Sequence, residues 1–127
     1  MQRTTQIRSN RRKATRVNSS DKPRPPMLTF RGTRWSVVRT NLVPGIRGQC
    51  DSPRSSRRKI TLNERLERPE EILEVLIHEC LHGLEWSATE EWVDRTAVEL
   101  ARALHRLGAQ IDLSRVPFVA LHSEGNK

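Results

Sequence analysis

The spacing of apolar positions changes twice along this chain. Residues 1–26 hold only Met1, Ile7, Ala14 and Val17 as apolar residues other than proline, too few to offset the entropy of ordering that stretch. It closes on Lys22-Pro23-Arg24-Pro25-Pro26, so a disordered basic tail is expected at 1–26. From Met27 the pattern becomes that of short strands. Met27–Phe30 and Arg34–Arg39 are rich in aromatic and β-branched residues. Pro44, Gly45 and Gly48 punctuate a turn region around Ile46, and Ser52–Ser56 reads as a loop. Lys59–Asn63 alternates apolar and polar residues, as a half-buried strand does.

The period then lengthens to that of helices. Pro69 suits a first helical position, and Glu70 and Glu71 follow in the turn where the helix dipole favours anions. Ile72, Leu73, Leu76, Ile77, Cys80, Leu81 and Leu84 form an apolar band at core-facing spacing. Ser87-Ala88-Thr89-Glu90 reads as a capping box opening a second helix. That helix carries Val93, Ala97, Leu100, Ala101, Leu104 and Leu107 and stops at Gly108. Only a tight turn fits between the two. Beyond Gly108, Ile111 to Leu121 has apolar residues enough for one short strand. The expectation is an α+β domain at 27–108, with a small antiparallel or mixed sheet packed on two helices, and a C-terminal extension at 109–127.

Charge follows the same divisions. The net charge of +8 hides a segregation. Residues 1–26 set 8 basic side chains against Asp21, and residues 27–63 set 8 against Asp51. Residues 64–99 reverse the sign, with 11 acidic side chains against Arg65, Arg68 and Arg95. The basic tail is a candidate nucleic-acid arm whose binding would weaken with salt. Arg54 with Arg57-Arg58-Lys59 reads as a solvated face that could add to it, although no aromatic residues are interleaved for base stacking. No run approaches the roughly 20 apolar residues of a membrane span. Cys50 and Cys80 lack the spacing of a disulfide framework or a metal knuckle, so buried free thiols in a reducing, cytoplasmic compartment are expected. Trp86 and Trp92 flank the turn between the helices and are expected to pack under it.

The chemistry lies in His78-Glu79-Cys80-Leu81-His82. On a helix, residues four apart share a face, so both imidazoles can reach one cation. A glutamate next to the first histidine sits where it can take a proton from an attacking water. The flanks are uncharged, and burying two imidazoles with a carboxylate there without a metal would cost several kcal/mol.

This stretch resembles the zincin metallopeptidases, in particular the gluzincin group of thermolysin-like enzymes. Val75 to Leu84 fits the extended pattern in which uncharged residues surround the motif and a hydrophobic residue closes it. Leu73-Glu74-Val75-Leu76-Ile77-His78-Glu79 and Glu90-Glu91-Trp92-Val93 also resemble segments of short phage and bacterial metallopeptidase-like proteins. The resemblance implies a minimal zincin-like domain that hydrolyses peptide bonds with Zn²⁺ as cofactor. His78, His82 and a glutamate on the next helix would be ligands, and Glu79 the general base. Glu90-Glu91-Trp92-Val93-Asp94 fits the group's second motif, with Val93 where a small residue is usual. Carried over, Glu90 is the third ligand and Asp94 holds a liganding histidine.

Helical spacing also puts Glu90 on the inward stripe, three residues before Val93 and seven before Ala97, though a capping role competes for it. Glu91, about 100° round the helix, is the runner-up. His105 is a third candidate, by analogy with SprT-like proteases that use a later histidine. Glu85 lies about 10 Å along the helix from His78, too far to share one metal with both histidines. The resemblance further implies that the strand Lys59–Asn63 borders the cleft and pairs with extended peptide substrate. One feature departs from it: many zinc peptidases stabilise the oxyanion with Tyr or His, and this chain has no Tyr. His122, Arg95 and His105 are the candidates left. The alternative function is a non-catalytic zinc domain that binds nucleic acid or protein.

Overall fold

A computed structural model describes residues 24–120, so the basic tail expected at 1–26 lies almost wholly outside the described residues, as does His122. The architecture is α+β: a four-stranded mixed sheet with two helices packed together. Strands β1 (Met27–Phe30) and β2 (Thr33–Thr40) form an antiparallel hairpin. Its two-residue turn, Arg31-Gly32, has φ of 52° and 81°, the left-handed pair that matches the twist of the flanking strands.

Strands β3 (Gly48–Cys50) and β4 (Lys59–Asn63) complete the sheet in the order β1-β2-β4-β3. β4 runs parallel to β2, with Val37 opposite Ile60, and antiparallel to β3, with Gln49 opposite Thr61. The chain therefore leaves β2, builds the outer strand first, and returns to fill the gap. β3 was not expected; Gly-Gln-Cys has no strand propensity of its own and is ordered by its partner. β4 departs from half-burial. Ile60 and Leu62 join the core clusters, while Thr61 and Asn63 are buried on the alternate face, Asn63 against Leu42 and Ile46. Asn63 Nδ2 donates to the Ile46 carbonyl at 2.8 Å, and its Oδ1 accepts from Arg65 N at 3.0 Å, so the buried amide is satisfied.

Trp35, Val37, Ile60 and Val116 form one core cluster, and Leu62, Ile72 and Val75 form another against the first helix. Arg58, expected in a solvated basic run, instead covers the core. Its guanidinium lies 5.8 Å from the Trp35 ring, and it donates to the carbonyls of Arg34 and Ser55 at 3.0 and 2.9 Å. Packing also continues past Gly108. Val116 is buried, and Arg39 exchanges backbone hydrogen bonds with Pro117 and Val119 at 2.8 Å each. The strand expected in this segment is reduced to a single bridge, Arg39 to Phe118, preceded by one 3₁₀ turn at Leu113–Arg115. Pro117 offers no N–H with which to extend the ladder.

Helix α1 (Pro69–Leu84) begins at its proline, as expected. Helix α2 (Glu90–Arg106) begins two residues after the position implied by a Ser87 cap. Thr89 is the cap, accepting from Trp92 N at 3.1 Å, while Ser87 Oγ donates to Glu85. The shift places Glu90 at the first helical position, where it has no capping duty. The inward face of α2 is Val93, Ala97 and Ala101, all buried; Leu100, Leu104 and Leu107, expected on the same stripe, are exposed. Small alanines let the helices approach closely and leave no room between them for larger side chains. Among the described residues no helix is long and apolar enough to cross a membrane.

Candidate metal centre

α1 carries His78 and His82 one turn apart on its face toward α2, and the first residue of α2 completes the group. His78 Nε2 lies 3.2 Å from His82 Nε2 and 3.0 Å from Glu90 Oε2, and His82 Nε2 lies 3.2 Å from Glu90 Oε1. These separations can be tested against a cation. A tetrahedral ion with ligand bonds of 2.0–2.1 Å has ligand–ligand edges of about 3.3 Å. Each histidine meets a different Glu90 oxygen near that spacing, and one ligand atom from each of His78, His82 and Glu90 lies within 4.8 Å of the others, a group that could hold a metal ion.

Asp94, one turn after Glu90, places Oδ1 3.2 Å from His78 Nδ1. An N–H there points to the carboxylate and leaves the Nε2 lone pair directed at the shared site. Asp94→Asn should therefore keep the fold but weaken metal affinity by about 10–100-fold, measured by competition with a chromophoric chelator.

The other candidate ligands and oxyanion groups are placed elsewhere. Glu91 points outward and pairs with Arg95 at 3.7 Å, which also removes Arg95 from the site. His105 stands in the last turn of α2, roughly 22 Å along the axis from Glu90. Glu85 pairs with Arg31 at 3.1 Å.

Glu79 shares the groove with the histidines, lies against β3 at Gly48, and is only 6% exposed. Its carboxyl is pushed up to about 7, chiefly by burial; the neighbouring His78 and, more weakly, Arg47 oppose the rise, and Glu90 adds to it. Gly48 makes this position possible. A Cβ at Gly48 would lie 2.7 Å from Val75 Cγ1 and 3.1 Å from Glu79 Oε2. Read in sequence as turn punctuation, Gly48 is instead a point of close approach between strand and helix. Gly48→Ala should lower stability by about 1–3 kcal/mol through overpacking, read from the urea midpoint. Metal content should be unchanged, because no ligand touches Gly48.

Arg47 went unmarked in the sequence. Its guanidinium contacts Glu71 and Glu74 at 3.3 Å each, tying the start of β3 to α1. No local signal joins a turn arginine to a helix more than twenty residues later. Cys50 and Cys80 are free and half-buried, and burial pushes both thiols up to about 12, so neither is a thiolate at neutral pH.

Two grooves meet at the centre. One, of about 680 Å³, is lined by Gly48 to Asp51, His78, Glu79, His82, Trp86, Ala88 and Glu90. A smaller one, of about 270 Å³, runs on past His78, Glu79 and Glu90 to Arg47 and Asp94. Trp86 and Trp92 do not pack under the interhelix turn as expected; they are 48% and 50% exposed. Trp86 belongs to the groove wall, and Trp92 lies one residue off the buried stripe of α2.

β4, the strand expected to receive peptide, has β2 on one side and β3 on the other, so neither of its edges is open. The edge strands are β1 and β3, and β3 is the one that lies beside Glu79. Asn63 N donates to the Arg47 carbonyl and Asp51 N to that of Lys59, which sets residues 47, 49 and 51 bonding toward β4. By alternation, the N–H and C=O groups of Gly48 and Cys50 point away from β4. No protein-family model, curated protein or solved structure matches this chain.

Proposed function

We propose that this chain is a zinc-dependent metallopeptidase. The observation that carries the reading is the convergence of ligand atoms from His78, His82 and Glu90 within 4.8 Å of one another, with the buried Glu79 carboxyl beside them and against the edge strand β3. Two imidazoles and a carboxylate suit Zn²⁺ and leave its fourth position for water or substrate. Bound there, zinc supplies Lewis acidity, polarising a carbonyl and lowering the pKa of its water to about 7.

The chain's own residues do the rest. β3 takes the substrate as an added strand through the backbone groups of Gly48 and Cys50, so the scissile bond lies across the His78–Glu79 turn. Asp94 holds the His78 ring against rotation. Glu79, buried and near neutrality in its proton affinity, takes a proton from the attacking water on its carboxylate and passes it to the leaving nitrogen. The test is hydrolysis of a broad peptide library by the zinc-loaded chain. Cleavage is expected and should stop on chelation; a library left intact sinks the peptidase reading.

A second reading is favoured by the origin of the donors. Two come from α1 and one from α2, so a bound ion would clamp the helices together whether or not it is catalytic. Full metal content without any cleavage would leave this structural role as the one that stands.

A further inference from the structure

The wider groove is chemically lopsided. Among the described residues its wall holds three carboxyl groups, from Asp51, Glu79 and Glu90, and no lysine or arginine. Glu90 and Glu79 are engaged at the metal centre. Asp51 is not: its Oδ2 accepts a hydrogen bond from Lys59 N at 3.0 Å, which fixes the carboxylate, and it has no ion-pair partner among the described residues. Trp86 is in the same wall, with half of its indole exposed. The ring stands at 65° to the His82 imidazole with centroids 6.3 Å apart, so it flanks the metal ligands directly. Glu85, the next carboxylate along the chain, is taken up by Arg31 and adds nothing free. An exposed indole and a fixed, unpaired carboxylate lining one groove match one kind of side chain: long, apolar in its stem and cationic at its tip.

We infer that the groove lined by Trp86 and Asp51 selects a lysine or arginine of the substrate, with the indole as platform and the Asp51 carboxylate as counter-charge. The inference rests on the peptidase reading of the metal centre and names its substrate class, a basic peptide. Arginine should be favoured over lysine, because its planar guanidinium stacks on the ring while its N–H fork reaches the carboxylate.

The test separates binding from cleavage. The full chain carrying Glu79→Gln, loaded with zinc, is titrated calorimetrically with end-blocked alanine heptapeptides bearing a single Arg, Leu or Glu. The Arg peptide should bind at least about fivefold more tightly than the Leu peptide, and the Glu peptide most weakly. Adding Trp86→Leu should bring Arg and Leu peptides to near parity, whereas Trp86→Phe should keep most of the preference. Asp51→Asn should lower the affinity for Arg alone. Equal affinity for Arg and Leu, a preference untouched by Trp86→Leu, or no binding of any peptide overturns the inference. Cleavage of the same peptides by the unsubstituted chain is scored separately: hydrolysis without a basic preference leaves the peptidase standing and removes only the selectivity.

Discussion

Elemental analysis of the purified chain should find about one zinc per molecule, and His78→Ala should reduce it to near zero. His78 touches both other donors and Asp94, so its loss removes a ligand and strands the rest. The remaining His82 and Glu90 give only a two-point site. The affinity loss should therefore far exceed the roughly 10–100-fold expected for losing a supporting partner. Stability reports the same event. Zinc at a hundred times its Kd adds about 2.7 kcal/mol to a protein that binds it only when folded. For a domain of this size that corresponds to roughly 10–20 °C in Tm. The unsubstituted chain should gain this on zinc addition and lose it on chelation, while His78→Ala should melt at one temperature in both. A zinc-dependent Tm that survives His78→Ala would place the metal elsewhere.

Glu79→Gln should do the reverse, retaining zinc and losing turnover. The substitution keeps shape and removes the ability to accept a proton. Because the site is buried, a neutral amide brings no charge to desolvate, so folding should be preserved. General-base catalysis is worth about 10²–10⁴ in rate, and a loss of that size should fall on kcat with little change in KM. Peptide cleavage within a few-fold of the unsubstituted rate, with zinc retained, would exclude Glu79 from the proton transfer. Together the two variants separate holding the metal from using it.

The parts of this site written in short-range periodicity were readable from the chain. HExxH on a helix opened by Pro69, and Glu90 ahead of the Val93–Ala97 stripe, depend on the angular spacing of neighbours along one helix. Even the competing claim on Glu90 was local, and it was settled by Thr89 capping in place of Ser87. What stayed hidden depends on the order in which strands enter the sheet. β3 becomes an edge because β4 returns between it and β2, and nothing in Gly48-Gln49-Cys50 announces that. The roles of Gly48 and Arg47 exist only once β3 lies against α1. Trp86 stands in the turn beyond α1 and Trp92 one residue off the buried Val93–Ala97–Ala101 stripe, so both stay half-exposed, and where the stripe falls depends on how the two helices meet.

His78, His82 and Glu90 fall within thirteen consecutive residues, spanning one helix end, a tight turn and the next helix start. The sheet, by contrast, closes only when β2 meets β4 across some twenty residues and Val116 joins Trp35 from the far end of the domain. Short loops close first, at little entropic cost. If the site takes zinc as proposed, an ion present during refolding would nucleate the helical hairpin ahead of the long-range pairings, and refolding should be faster with zinc than with a chelator.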